Sequence, residues 1–185
     1  MIRNCKLGKN VIFENKRTVI LENCIIGDNC YIAAYSKIIN ANIGNDCKIY
    51  SFTNLYGTNL VIGNHCKIGT FVEITGDVFI GNNCVISSHS FICAGVTLEG
   101  NNFIGHLVSF SNDKNPQCYN KNFKMERTII KNGAVIGTGS SVLPVTIGIN
   151  AMVGLGSLVA NNIPDNGLVY GKTTKANLIK IKDNE

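Results

Sequence analysis

The chain has 185 residues, a formal net charge of +5, eight cysteines and three histidines. This length is that of one domain with a substantial core. The lysines are scattered, so the charge does not indicate nucleic-acid binding, although a basic surface favours an anionic small-molecule ligand. No apolar run approaches the roughly 20 residues of a membrane span. Because residues 1–4 show no secretory leader, we expect a cytoplasmic protein.

Apolar residues recur at every sixth position along most of the chain. With small slips, the series comprises Leu7, Phe13, Ile20, Ile26, Ile32, Ile38, Ile43, Ile49, Leu55, Ile62, Ile68, Ile74, Ile80, Ile86, Ile92, Leu98, Ile104, Phe110, Ile130, Ile136, Val142, Ile147, Val153 and Val159. A helix repeats every three or four residues, and a surface strand every two. A period of six is typical of a β-helix, in which each hexapeptide is one short strand plus a corner. The sequence therefore predicts an all-β prism of about eight triangular coils.

Glycine follows the apolar residue in many repeats, and asparagine occupies the expected corners. The Ile-Gly pairs begin at Ile26, Ile43, Ile62, Ile68, Ile80, Ile104, Ile136 and Ile147. Glycine relieves backbone crowding at these positions, and asparagine tolerates the positive φ of a corner. The pattern resembles the left-handed hexapeptide family, so we expect a left-handed parallel β-helix.

Five cysteines fall four residues after a position of the apolar series, in the slot for a small inward side chain. They are Cys24, Cys30, Cys47, Cys66 and Cys84. We expect free, buried thiols that act as small apolar groups. No C-x-x-C motif occurs, and we expect no metal.

The repeat stops between Phe110 and Ile130, and again from Pro164 onward. We predict a β-helix domain over residues 1–163, with an inserted loop at about 111–129, and a tail over 164–185. A long insertion in such a regular solenoid is typical of a functional loop.

Two of the three histidines fall on one face of the predicted prism, one coil apart. His89 lies in the polar run Ser87–Ser90, and His106 follows one coil later. We expect both near one corner, with the inserted loop leaving just above them. The alternative, two ordinary corner histidines, remains open at this point. His65 falls on another face and is interpreted as a solvated corner residue.

Several ordered segments outside the apolar series resemble the nucleotide-sugar N-acetyltransferases. These segments are 54–57, 71–74, 88–93, 103–106, 110–113 and 130–137. The resemblance covers about residues 40–172 and is greatest to enzymes that acetylate the 3-amino group of dTDP-linked 3-amino-3,6-dideoxyhexoses, for bacterial surface glycans such as O-antigen or S-layer glycan. It implies acetyl-CoA as the acetyl donor, and a homotrimer with active sites at subunit interfaces.

The resemblance also implies roles for individual residues. His89 is expected to orient or deprotonate the amine, and Asn112 to hold the sugar at the catalytic centre. The expected substrate-binding residues are Asn54, Tyr56, Glu73, His106 and Asp113. The expected coenzyme-binding residues are Gly137, Ser140, Ser157 and Lys172. One departure concerns Ala94, which stands where related sequences commonly carry glutamate, so the role of that carboxylate is not transferred.

Other functions remain open on the sequence. One is an acyltransferase acting on another amine, such as a UDP-linked sugar, a 4-amino sugar or an amino acid. A γ-type carbonic anhydrase shares the fold, but it requires a local H-x-x-x-x-H pair that this chain lacks. A non-catalytic structural solenoid is the third alternative.

Overall fold

The computed structural model describes residues 1–171 and the strand at 179–180, and these residues form strands, turns and loops without a helix. Three parallel sheets form the sides of a triangular prism, which we call faces A, B and C. Face A contains Ile2–Arg3, Ile20–Glu22, Lys37–Ile39, Asn54–Tyr56, Glu73–Thr75, Phe91–Ile92, Ser109–Phe110, Ser141–Val142 and Leu158–Val159. Face B contains Lys6–Leu7, Ile25–Ile26, Ala41–Ile43, Leu60–Ile62, Val78–Ile80, Val96–Leu98, Thr128–Ile130 and Thr146–Ile147. Face C contains Ile12–Phe13, Tyr31–Ile32, Lys48–Ile49, Lys67–Ile68, Val85–Ile86, Phe103–Ile104, Val135–Ile136, Met152–Val153, Gly167–Val169 and Ile179–Lys180.

The chain visits faces A, B and C in turn, and each strand pairs in parallel with the strand one coil away. Only Ile179–Lys180, among the described strands, pairs antiparallel. Apolar residues of the six-residue series, such as Ile62, Ile68 and Ile74, are buried inside the prism. The predicted all-β parallel β-helix is confirmed, and the architecture is consistent with the left-handed form.

The solenoid has about nine coils, one more than the sequence predicted. The strand Ile2–Arg3 precedes the first predicted repeat, and Gly167–Val169 pairs with Met152–Val153 beyond the last one. The interior position of the second coil belongs to Leu21 rather than to Ile20. Leu21 is fully buried and in register with Ile38, whereas Ile20 is only half-buried.

The inserted loop is slightly shorter than predicted. It ends at residue 127 rather than 129, because Thr128–Ile130 pairs with Val96–Leu98 on face B and Thr128 is buried. The strand Gly167–Val169 lies within the predicted tail, and Val169 packs in the core. Within the described part of the chain, no helix has the length and hydropathy needed to cross a membrane.

The five cysteines of the small slot are buried inside the prism, as predicted. The thiols of Cys30, Cys47 and Cys66 each donate to a glycine carbonyl of the next coil, at 3.0–3.2 Å. Cys93 is a further buried thiol, and desolvation raises its pKa to about 11. A thiol with this pKa stays protonated at neutral pH and is a poor nucleophile.

Asn102 takes the same inward slot one coil above Cys84 and is buried. Its Oδ1 accepts from the Gly100 N–H at 3.0 Å, and its Nδ2 donates to the carbonyls of Lys131 and Ala134 at 2.7 and 3.2 Å. The side chain therefore joins the coil before the inserted loop to the coil after it.

We expect Asn102→Ala to lower the free energy of unfolding by about 2–4 kcal/mol, because it removes three buried hydrogen bonds and leaves the Gly100 amide without a partner. Denaturant unfolding followed by circular dichroism measures the loss. Asn42→Ala, on an exposed face B position, is the matched control and is expected to change little. Equal stability of the two variants would contradict the bridging role of Asn102.

Candidate functional site

One corner of the prism, between faces C and A, carries a stack of exposed aromatic rings that we call the corner column. It consists of Tyr35, Phe52, Phe71 and His89. Successive ring centroids lie 4.9, 5.0 and 4.9 Å apart, with interplanar angles of 6°, 13° and 23°. All four residues have φ between 59° and 63°. Positive φ is unfavourable for residues other than glycine and asparagine, so stacking offsets a backbone cost at this corner.

His89 is the top ring of the corner column and is exposed to solvent. Its amide donates to the carbonyl of Thr70 one coil below, at 3.0 Å, and its imidazole lies against Phe71. These contacts fix the backbone and the plane of the ring, while the ring edge faces solvent. The stack was not predicted from the sequence, although the regular spacing of the four rings, about one coil apart, is a signal for it.

The serines around His89 divide between the interior and the surface. Ser90 is buried, and its hydroxyl donates to the carbonyl of Gly105 at 2.9 Å. Ser88 instead lines an open pocket of about 290 Å³ on face C, together with His106. His89 and His106 therefore lie near the same corner, as the sequence predicts. His65 lies exposed at the corner between faces B and C, with Nδ1 3.7 Å from an Asp46 oxygen.

Three predicted substrate-binding residues meet on face A. Glu73 Oε1 accepts from Tyr56 OH at 3.0 Å and from Asn54 Nδ2 at 3.3 Å. The ammonium of Lys37 lies 5.8 Å from the centre of the Tyr56 ring. Asn54 Oδ1 is buried and has no hydrogen-bond partner within the described structure. Lys37 is not among the residues predicted from the sequence, although its register one coil below Asn54 follows from the repeat.

Asn112 and Asp113 lie at the opposite edge of face A, where the inserted loop begins. Asn112 Nδ2 donates to the carbonyl of Ala94 at 3.1 Å, and the amide of Glu126 donates to Asn112 O at 3.0 Å. The carboxylate of Asp113 accepts from the amide of Asn115 at 2.8 Å. The base of the loop is closed further by an ion pair between Arg127 and Asp77 at 2.6 Å.

The expectation that the loop leaves just above His89 and His106 is wrong. His89 precedes a strand of face A, whereas Phe110 ends one, so the loop leaves from the other corner of that face. The width of the face is roughly 16 Å of extended chain. His89 and Asn112 of one chain therefore do not reach the same sugar ring.

The predicted coenzyme-binding residues differ in orientation. Gly137 follows the face C strand Val135–Ile136, and a Cβ added there would be 2.6 Å from the amide of Leu155 in the next coil, so coil stacking requires glycine at this position. Ser140 and Ser157 are buried, and both hydroxyls donate to the carbonyl of Gly154. Their side chains therefore face the interior of the prism rather than a coenzyme. Lys172 lies outside the described residues.

No group of three or more His, Cys, Asp or Glu side chains within the described residues is arranged to hold a metal ion. A zinc centre built from the three histidines requires them to converge. His65 lies at a different corner from His89 and His106. The three histidines therefore do not meet within one chain.

The hydrogen bond to Glu73 raises the pKa of Tyr56, because ionisation would place a phenolate beside a carboxylate. We expect Glu73→Gln to lower the pH at which Tyr56 ionises, since the amide carries no charge. Nuclear magnetic resonance of ¹³C-labelled tyrosine across an alkaline titration measures this pH, with Tyr50 as the internal reference. An unchanged Tyr56 titration in the variant would contradict the contact.

Comparisons with known proteins agree with this architecture. The family described as bacterial transferase hexapeptide (six repeats) matches residues 3–40 and 59–94. The bifunctional protein GlmU of Legionella pneumophila (strain Corby) is 34% identical over 175 residues, which cover 89% of this chain and 32% of that protein. GlmU of Thermosipho africanus is 31% identical over 98% of this chain and 33% of that protein. The chain thus spans about a third of the length of these curated relatives.

Solved structures show the same fold at low sequence identity. The UDP-N-acetylglucosamine acyltransferase from Campylobacter jejuni superposes with a TM-score of 0.79 at 17% identity, over 96% of this chain and 71% of that chain. The Francisella novicida enzyme of the same name gives a TM-score of 0.79 at 16% identity, over 97% of this chain and 67% of that chain. The chain therefore carries the hexapeptide repeat of bacterial transferases, on the fold that the UDP-N-acetylglucosamine acyltransferases share.

Proposed function

We propose that this protein is an N-acetyltransferase that transfers acetyl from acetyl-CoA to the 3-amino group of a dTDP-linked 3-amino-3,6-dideoxyhexose. The observation that carries the proposal is the exposed His89 imidazole, held by the corner column between the face C pocket and the Asn54–Tyr56–Glu73 cluster. The transferase repeat and the names of the relatives support an acyltransferase acting on a nucleotide sugar. The ordered motifs that resemble the 3-N-acetyltransferases support an acceptor that has a 3-amino group and is linked to dTDP.

The reaction requires little chemical activation. The neutral amine attacks the thioester carbonyl, a C–N bond forms, the C–S bond breaks, and coenzyme A leaves as the thiolate. The proton released by the amine passes to His89 and from there to the thiolate. The protein then contributes mainly positioning and hydrogen bonds to the developing oxyanion. A general base adds a factor of about 10²–10⁴.

The acceptor sugar is proposed to bind on face A beside His89. Glu73 there offers its second carboxylate oxygen to a sugar hydroxyl, and Asn54 and Tyr56 hold the carboxylate in place. Acetyl-CoA is proposed to lie along the C-terminal coils of face C, past Gly137, as the motif resemblance implies. His106, in the pocket between these regions, is proposed to contact the acceptor.

Asn112 takes part in the proposed site only if it comes from a neighbouring subunit. It lies across face A from His89 in its own chain, and its amide already donates to Ala94. A homotrimer with sites between prisms brings the loop corner of one chain to the His89 corner of the next. Asp113 is proposed to hold the loop turn, since its carboxylate accepts from Asn115.

A second candidate is an acyltransferase for the amine of a UDP-linked sugar. It is favoured by the solved structures, which are named UDP-N-acetylglucosamine acyltransferases. Both candidates predict thioester consumption, whereas a structural solenoid predicts none.

The test is an assay of free thiol release from acetyl-CoA with a panel of dTDP- and UDP-linked 3-amino and 4-amino sugars. Mass spectrometry of the product locates the acetyl group. Turnover of a dTDP-linked 3-amino sugar supports the proposal, and preferential turnover of a UDP-linked sugar supports the second candidate. The absence of turnover with every amino sugar would overturn both.

We expect His89→Asn to lower kcat at least about 100-fold, because the amide keeps a hydrogen bond but cannot accept the proton. Asparagine tolerates the positive φ of this corner, so the variant is expected to fold. His65→Asn, at another corner with φ of 57°, is the matched control and is expected to retain the wild-type kcat. Steady-state kinetics measure both. A His89→Asn protein with near wild-type kcat would exclude His89 as the base.

A further inference from the structure

Two neighbouring pockets on face C share the side chain of Tyr50. The upper pocket, of about 290 Å³, is bounded by Lys67, Ser88 and His106. The lower pocket, of about 410 Å³, is bounded by Ile12, Tyr31 and Lys48. Together they form a continuous surface along the N-terminal half of the prism, which we call the face C groove.

The face C groove contains an unfavourable pair of charges. Lys48 and Lys67 are in direct cross-strand register, on adjacent strands roughly 4.8 Å apart. Like charges directly opposite each other destabilise a sheet. Neither lysine forms an ion pair within the described residues, and none of the residues that line the two pockets is acidic.

The carboxylate of Asp46 does not relieve this repulsion. It lies at the corner between faces B and C, where Asn29 Nδ2 donates to one oxygen at 3.2 Å and His65 Nδ1 is 3.7 Å from the other. Two unpaired ammonium groups therefore border pockets that also present aromatic rings. A polyvalent anion between the lysines would replace their repulsion by two charge-assisted contacts.

We propose that the face C groove binds an organic diphosphate, with Lys48 and Lys67 holding the phosphates and the ring of Tyr50 or Tyr31 contacting the attached base. An aromatic ring beside a cationic site is the arrangement that binds nucleotides by stacking and charge. The inference rests on the proposed function only in naming two sources of a diphosphate. The nucleotide end of the acceptor agrees with a donor bound on the C-terminal coils. The adenosine end of coenzyme A would instead place the donor on the N-terminal coils.

The test is calorimetric titration of the intact protein with dTDP and, separately, with coenzyme A. We expect Lys48→Gln and Lys67→Gln each to weaken binding of at least one of these ligands about tenfold, and to flatten the dependence of its Kd on salt. Lys6→Gln, which removes the same charge from an exposed position on face B, is the matched control and is expected to bind like the wild type.

Stability without ligand provides a second readout. Removing one of two repelling charges should leave the Tm of the free protein unchanged or raise it, whereas loss of a structural lysine would lower it. Weaker binding with an undiminished Tm therefore supports a ligand site. A lowered Tm with unchanged affinity, or an equal loss of affinity in Lys6→Gln, would overturn the proposal.

The two ligands distinguish the source of the diphosphate. A loss of affinity for dTDP alone identifies the nucleotide end of the acceptor as the source. A loss of affinity for coenzyme A alone identifies the donor. Wild-type affinity for both ligands in both lysine variants would overturn the proposal. These titrations measure binding and not turnover, so they test the groove even if the N-acetyltransferase assay fails.

Discussion

Hydrogen bonding between parallel coils in fixed register is the constraint on which the rest of this structure depends. Because each strand pairs with the strand one coil away, every position of the hexapeptide becomes a vertical column of side chains. The inward columns hold isoleucine and small residues, and they make a continuous core. The same register places Asn102 where it can satisfy backbone groups on both sides of the inserted loop. The surroundings of a side chain in this fold are therefore set by its position in the hexapeptide and by the coil in which it lies.

The corner between faces C and A departs from the other corners in a way that points to function. At the corner between B and C, residues such as Asn29, Asn83 and Asn101 suit the positive φ and hydrogen bond along their column. The corner column instead has Tyr35, Phe52, Phe71 and His89. These residues adopt an unfavourable positive φ at exposed positions. The column presents an imidazole with a fixed ring plane between a pocket on face C and a polar cluster on face A. Fixed orientation is what a positioning or proton-accepting group requires.

The sequence predicted the fold because the six-residue period recurs over most of the chain with only small slips. The motif resemblance assigned Asn54, Tyr56 and Glu73 to substrate binding, but it did not predict the hydrogen bonds that join them. The sequence did not show whether Ile20 or Leu21 points into the prism, since both are apolar and only the strand register decides which one is buried. The inward orientation of Ser140 and Ser157 does follow from the repeat, since they stand four residues after Ile136 and Val153 in the small inward slot; the motif resemblance pointed instead to the coenzyme. The corner at which the loop leaves was predicted wrongly, because His89 and Phe110 flank opposite ends of the face A strands. His89 lies just before such a strand, and Phe110 is the last residue of one.

The central claim is that one site combines His89 of one subunit with Asn112 of its neighbour. It is tested most directly by co-expressing His89→Asn and Asn112→Ala chains with different affinity tags and isolating the mixed assemblies. Each variant alone is expected to be nearly inactive. The account predicts that mixed assemblies regain activity, because some sites receive the intact His89 and the intact Asn112 from two different chains. Mixed assemblies that stay as inactive as the two parent variants would contradict it.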